Sequence, residues 1–196
     1  MSAGFAMWKK RSKSNREAKK EGLRRELVSL LPRLRRFSRG LTKDPVVADD
    51  LVQEACERAL TRLDQVRDGT RFDSWMYRIV HTRWIDWLRK GKVRSEHLSM
   101  VPDKDAPDAI ADGRAENPGV GLDVRRALQT LPPDQLAAVM LVCVEGYSYS
   151  EAAKILTVPA GTVASRVARG KGGLGRKLFS ETDTVGARRE ADEVKS

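Results

Sequence analysis

Two cysteines, two histidines and 6% aromatic residues are all that this 196-residue chain offers to disulfides, metal sites and aromatic cofactor boxes. Cys56 and Cys143 lie far apart, and His81 and His97 lack the paired spacing of a zinc site. Both cysteines therefore read as small core residues, and no metal ion or cofactor is expected. Long apolar runs are also missing. The longest, Leu136 to Val144, falls well short of the roughly 20 residues that cross a bilayer and reads as a buried helix segment. Trp8 and Lys9-Lys10-Arg11 stand where a secretory leader needs its apolar centre, so a cytoplasmic chain without membrane insertion is expected. Nothing alternates with period two over a useful length, which excludes a sheet, and no internal repeat is visible. No catalytic residue is assigned. Gly170 to Gly175 is rich in glycine, but it follows a helical pattern and lacks the Lys-Ser/Thr ending of a phosphate cradle. No nucleophile stands beside a base, so an enzyme is not expected.

Positive charge is abundant, and it is unevenly spread. The formal net charge is +10. Residues 1–43 hold fourteen Lys/Arg against Glu17, Glu21 and Glu26, while the remainder holds 23 bases and 24 acids. A basic head of this kind suits a polyanion such as nucleic acid. Residues 1–20, with few apolar side chains to bury, also fit a disordered solubilising extension.

Three zones follow that extension. Residues 21–95 show helical periodicity, with Pro32 early in one helix, a break at Lys43-Asp44-Pro45 and a loop around Asp68-Gly69-Thr70. Residues 96–121 change texture: Pro102, Pro107 and Pro118 punctuate a segment with Glu96, Asp103, Asp105, Asp108, Asp112 and Glu116, the composition of a flexible acidic linker. Helical periodicity returns over 122–180, where Leu131-Pro132-Pro133-Asp134 marks a boundary before a helix from Gln135 to Glu145. Residues 181–196 form a charged tail, expected to fray. The expected fold is all-α, two small helical domains on a tether.

The second domain contains a helix-turn-helix pattern. Ser148 and Glu151 have capping-box spacing, Ala152, Ala153, Ile155 and Leu156 supply the small and apolar positions, and Thr157-Val158 is a connector too short for anything but a sharp bend. Pro159 suits the first position of the next helix. In that helix Val163 and Val167 share one face, while Thr162, Ser165, Arg166 and Arg169 occupy a neighbouring one, and Lys171, Arg176 and Lys177 continue the basic character. Hydroxyls and guanidinium groups so arranged can donate to base edges and phosphates in a major groove. A helical hairpin with a solvated basic face would show the same pattern.

In the first domain, Ala48 to Leu60 gathers Leu51, Val52, Ala55, Cys56, Ala59 and Leu60 on one side and Asp50, Gln53, Glu54 and Glu57 on the other. Such a stripe of acceptors either faces solvent or docks a basic protein surface. Further on, Phe72 to Lys90 concentrates aromatics and arginines: Arg78, Thr82 and Arg89 line one stripe, and Met76, Val80, Trp84, Trp87 and Leu88 cover a broad second side. Bases beside aromatics suit phosphates and unstacked strands. Large aromatics are also ordinary core residues, and exposure is expected for one of Trp75, Trp84 and Trp87.

The order of Asp-Pro-x-x-Ala-Asp-Asp-Leu-Val-Gln-Glu, Phe-x-Ser-Trp-Met-Tyr-Arg-Ile-Val, Ile-Asp-x-Leu-Arg-Lys and Glu-Gly-Tyr-Ser-Tyr-x-Glu-Ala-Ala-x-Ile-Leu-x-Val-Pro-x-Gly-Thr-Val-x-Ser-Arg resembles bacterial RNA polymerase sigma factors of the extracytoplasmic-function (group IV) type. The resemblance runs from about Leu23 to Leu178. It implies that Asp49, Asp50, Gln53 and Glu54 match the docking surface for the β′ clamp helices of core RNA polymerase, whose β subunit is a further partner. It implies that the loop from about Leu63 to Phe72 matches the one capturing a flipped base of the minus-ten element. Arg71, Phe72, Trp75, Arg78, Thr82, Arg83, Arg89 and Lys90 then match minus-ten contacts, and Thr162, Ser165, Arg166, Arg169 and Lys171 match minus-thirty-five contacts on promoter DNA. An anti-sigma protein is the regulatory partner that the resemblance implies. Thr157 departs from the family's common turn glycine, implying either a turn that avoids positive φ or some strain.

The function expected is that of a factor which binds core polymerase, selects promoters and assists their melting. A self-sufficient regulator that binds operator DNA without polymerase is the alternative, and it leaves the acidic stripe unexplained.

Overall fold

The computed structural model describes residues 3–42, 44–67, 69–97 and 124–193. Among these residues all regular structure is helical: α1 (Ala3–Leu41), α2 (Pro45–Leu60), α3 (Phe72–His97), α4 (124–128), α5 (Pro133–Val139), α6 (Tyr149–Leu156) and α7 (Ala160–Glu193). A 3₁₀ turn, Leu63–Gln65, precedes α3, and a π turn, Met140–Val144, extends α5. The chain divides into two compact units, Met1–Ser38 with Val46–Met100, and Arg39–Pro45 with Val101–Ser196. The expected linker at 96–121 lies outside the described residues apart from Glu96 and His97, which end α3.

In the first unit the periodic side of α1 buries Leu27, Leu30, Leu34 and Phe37, the three- and four-residue spacing of one helix face. The buried face of α2 is Ala48, Leu51, Val52, Ala55 and Ala59. From α3 come Phe72, Met76, Tyr77, Val80 and Trp84. The Phe37 and Tyr77 rings meet edge to face, centroids 5.0 Å apart at 88°, an arrangement that the ring quadrupoles favour.

Two expectations for α1 are corrected. The chain is helical from Ala3, so residues 3–20 are part of α1 rather than a disordered extension. At the end of that segment Lys20 bridges Glu17 at 3.8 Å, and Lys19 and Lys20 both hold partners beyond the helix. Pro32 lies three-quarters of the way along α1, not early in a helix. It is exposed, so the carbonyl left without its N–H partner can be hydrated.

The second unit is packed from smaller side chains. Leu136, Ala137, Ala138, Val139, Met140 and Leu141 bury against Ala152, Ile155 and Leu156 of α6 and Val163 and Val167 of α7. Gly170 of α7 is a point of close approach: a Cβ there would sit 2.6 Å from Cγ2 of Val139. The apolar run from Leu136 is buried only through Leu141; Val142 is half-buried, and Cys143 and Val144 are exposed. The π turn accounts for this correction. Glu145 N–H reaches back to the Met140 carbonyl at 3.0 Å, and the residue inserted into that turn rotates its end off the core. Gly146, φ 77°, then redirects the chain. The tail at 181–196 was expected to fray, but α7 continues to Glu193.

Candidate functional site

Three surfaces stand out, and the acidic stripe of α2 is the first. Asp49, Asp50, Gln53 and Glu54 are all exposed, because the opposite face of the helix supplies five core residues. Gln53 Nε2 donates to Glu57 Oε1 at 3.1 Å, which extends the stripe by a turn. Arg83 of α3 approaches Glu54 at 3.9 Å. Crowding of like charge surrounds that contact: Arg62 and then Arg83 hold the Arg58 guanidinium below its ordinary pKa. Leu60, expected with the apolar side, is 48% exposed at the last residue of α2. Cys56 is half-buried, and burial pushes its thiol pKa up, against the smaller lowering effect of Arg35.

The second surface is the loop before α3 and the helix it enters. Asp73 accepts from the Ser74 N–H at 2.6 Å and pairs with Arg71 at 2.8 Å, which fixes the start of α3. Phe72 is 3% exposed, and its ring lies 5.7 Å from that of half-buried Trp75. Along α3, Trp75, Arg78, Thr82 and Arg89 fall within about 60° of helix arc; Arg78, Thr82 and Arg89 are exposed, as is Lys90 beside them. Thr82 Oγ1 donates to the Arg78 carbonyl at 2.8 Å, so its hydroxyl is already turned to its own helix.

Three of the eight expected minus-ten residues stand apart from this line, Arg71 among them, which precedes α3 and is paired with Asp73. Phe72 is a core residue that supports Trp75. Arg83 turns toward α2 and Glu54, its side chain only 25% exposed. Of the three tryptophans expected to include one exposed ring, Trp84 is 1% and Trp87 42% exposed.

The helix-turn-helix is the third surface. Its capping box is complete: Ser148 Oγ accepts from the Glu151 N–H at 3.3 Å, and Glu151 Oε2 accepts from the Ser148 N–H at 3.0 Å. Thr157 closes α6 in the left-handed region, φ 58° and ψ 44°. The turn therefore does not avoid positive φ; a β-branched residue carries the strain. Pro159 stands one residue before α7, and its carbonyl accepts from the Thr162 and Val163 N–H groups at 3.0 and 3.2 Å. It starts the helix from the capping position rather than from the first turn.

The polar face of α7 is interlocked. Ser165 Oγ donates to the Thr162 carbonyl at 2.9 Å, and Arg169 Nε donates to the Ser165 carbonyl at 3.2 Å. Arg166 Nη2 pairs with Asp134 of α5 at 2.6 Å and is only 19% exposed. Thr162, Ser165, Arg166 and Arg169 do share one arc of about 100°, but Lys171 lies roughly half a turn away from Thr162. Exposed Arg176 returns to the Arg169 line and lines with it, Lys177 and Gln135 an open surface hollow of about 680 Å³.

Sequence reasoning missed Asp73, Asp134, Lys19 and Lys20. Asp73 had a local signal, an acid in the first helical turn beside Arg71. Asp134 pairs with an arginine 32 positions later, and Lys19 meets Val66 47 positions later, so neither spacing carries a signature. Among the described residues no group of three His, Cys, Asp or Glu could hold a metal ion, and no helix is long and apolar enough to cross a membrane.

Comparison with known proteins matches residues 27–94 to sigma-70 region 2 and residues 121–172 to sigma-70 region 4. The chain is 32% identical over 179 residues to the ECF RNA polymerase sigma factor EcfG of Rhodopseudomonas palustris, covering 85% of this chain and 94% of that protein. It is 34% identical over 156 residues to the ECF RNA polymerase sigma factor SigM of Mycobacterium tuberculosis, covering 80% and 76%. The co-crystal structure of the sigma factor RpoE with the anti-sigma factor NepR from Bartonella quintana includes a chain that superimposes with a TM-score of 0.73 at 28% identity, covering 81% of this chain and 98% of that one.

Proposed function

This chain belongs to the extracytoplasmic-function sigma factors of the sigma-70 family, and on that premise we propose that its three surfaces divide the work of transcription initiation. Factors of this family initiate transcription with core RNA polymerase at promoters, working by binding rather than by bond chemistry. The domain over residues 21–95 carries polymerase docking and minus-ten contact, and that over 122–180 carries minus-thirty-five contact.

Asp49, Asp50, Gln53 and Glu54 grip the β′ clamp helices. The loop from Leu63 to Phe72 takes an extruded base, with Trp75 beside it and Arg71, Arg78, Arg89 and Lys90 along the strand. Thr162, Ser165 and Arg169 read the distal element. Arg166 acts by holding α7 to α5 through Asp134. Arg83, set against Glu54, joins the docking helix to the DNA-facing helix. An anti-sigma protein that covers these surfaces is the proposed regulator; the matched RpoE chain is in complex with the anti-sigma factor NepR.

The observation that carries this reading is the exposed stripe of Asp49, Asp50, Gln53 and Glu54 on α2, an acceptor surface on an otherwise basic chain, whose charge suits a basic docking partner. Unstacking a base step costs a few kcal/mol. Stacking an extruded base on a ring returns about 1 to 3 kcal/mol. The balance is close, so opening depends on holding both DNA contacts on one polymerase, where tethering raises their effective concentration.

Transcription from candidate promoters with purified core polymerase tests the proposal. Discrete transcripts that require this protein are expected. Asp50→Ala with Gln53→Ala is expected to lower core affinity at least tenfold with an unchanged melting temperature. Unchanged core affinity would remove the docking assignment, and tight operator binding without polymerase would favour a stand-alone regulator.

A further inference from the structure

The amino-terminal part of α1 is the one strongly basic segment without a role, and two of its lysines reach the loop before α3. Lys19 Nζ donates to the Val66 carbonyl at 2.8 Å, and Lys20 Nζ pairs with Asp64 Oδ1 at 3.0 Å. Both partners sit on the 3₁₀ turn and its exit: Asp64 lies within Leu63–Gln65, and Val66 caps it with extended backbone, φ −72° and ψ 108°. Leu63 and Val66 are 3% and 5% exposed, so their side chains anchor the underside of the same turn.

Beyond Val66 the described residues are not helical until α3 begins at Phe72. Thr70 N–H donates to the Arg67 carbonyl at 3.2 Å, and Gly69 adopts φ 80°. At the far end Arg71, Asp73 and the Ser74 N–H close the segment. This stretch is therefore held at two ends, by α1 at its entry and by the first turn of α3 at its exit. A carbonyl that accepts from an ammonium group is a stronger anchor than a neutral bond. Fixing a loop before binding removes ordering entropy that the bound state would otherwise have to overcome.

We infer that Lys19 and Lys20 are positioning residues for the loop that receives the extruded promoter base, and that through it they set base preference and opening at the minus-ten element. The inference rests on the proposal that the segment from Leu63 to Phe72 receives that base. It gives the basic extension of α1 a task distinct from general attraction to phosphates. The lysines act through Asp64 and Val66, not by contact with DNA.

The test uses the full chain with core polymerase and a library of promoters randomised across the minus-ten element. Lys19→Ala with Lys20→Ala is expected to lower permanganate reactivity of melted minus-ten thymines about fivefold, the factor of a surface ion pair near the top of its range. It should flatten base preference at a single position and leave core affinity unchanged. Lys20→Asp with Asp64→Lys is expected to restore the preference that Lys20→Asp alone removes.

Three outcomes would overturn the inference. A uniform loss of DNA affinity at every position, not rescued by the swapped pair, would make the lysines phosphate contacts. Unchanged preference in the lysine variants, with a preference altered by Gln65→Ala or Arg67→Ala, would remove the clamp and leave the loop's role standing. Unchanged preference in both sets would remove the loop's role as well.

Discussion

Between α6 and α7 the chain turns within three residues and every constraint is local, whereas the segment before α3 is fixed by lysines 44 and 47 positions earlier. In the first case Ser148 caps α6, Thr157 ends it in the left-handed region, and the Thr157 and Val158 N–H groups both bond the Ala153 carbonyl. In the second, Lys20 holds Asp64 and Lys19 holds the Val66 carbonyl. On the proposed roles, a recognition helix that enters a groove at one angle is served by a short, strained, self-contained turn. On the same proposal, a loop that accommodates an extruded base needs length, and length has to be restrained from elsewhere, because closing a longer loop costs more entropy.

Four experiments break or sharpen that contrast. The largest effect is expected at the frame behind the loop. Trp84, 1% exposed in the first unit, should on replacement by Ala cost about 3 to 5 kcal/mol, seen as lost thermal stability of that unit with the helix-turn-helix still folded. If both units melted together, the frames would not be independent.

Next comes the second unit, where α7 packs by backbone approach rather than by large rings. Gly170→Val meets Val139 and should cost about 1 to 3 kcal/mol by overpacking. A neutral result in denaturant unfolding would show that α7 can move away from α5 without loss.

The turn itself gives the third. Thr157→Gly should stabilise the second unit by about 1 kcal/mol, because glycine adopts φ near 58° without a Cβ clash. Ser148→Ala should destabilise it by about the same amount through loss of the capping box. A Thr157→Gly protein with a lowered melting temperature would mean that the turn is not held by local strain.

Salt provides the smallest effect. Lys20 and Asp64 are 25% and 67% exposed, so 1 M salt should weaken their pair by well under 1 kcal/mol. Hydrogen exchange at the Gln65 and Val66 amides should quicken up to about threefold. Exchange at Thr162 and Val163, whose amides bond the Pro159 carbonyl, should not respond. Equal salt response at both places would erase the distinction.

Where a pattern is carried by neighbours in the chain, it was legible. The capping box, the Pro132-Pro133 boundary, the break before Pro45 and the buried Val163–Val167 face all appear as expected. So does the exposed acceptor stripe of α2, because a helix that buries five residues on one side must present the rest on the other. The extent of α1 was not legible, since its low apolar content argues for disorder, and the contacts of Lys19 and Lys20 with Val66 and Asp64 leave no local spacing. Nor were the fates of Arg83 and Arg166. Each looked like a free cation on a basic helix, and each is turned to an acid on another element.

Sequence alone determined the all-helical class, the Ser148 capping box, the family and the acceptor face of α2, because all of these follow from periodicity and from side chains within a turn or two of one another. Only tertiary structure decided which arginines remain available to DNA and what restrains the loop before α3. Those questions depend on charges brought together across tens of residues, and a pairing at that separation leaves no spacing to read.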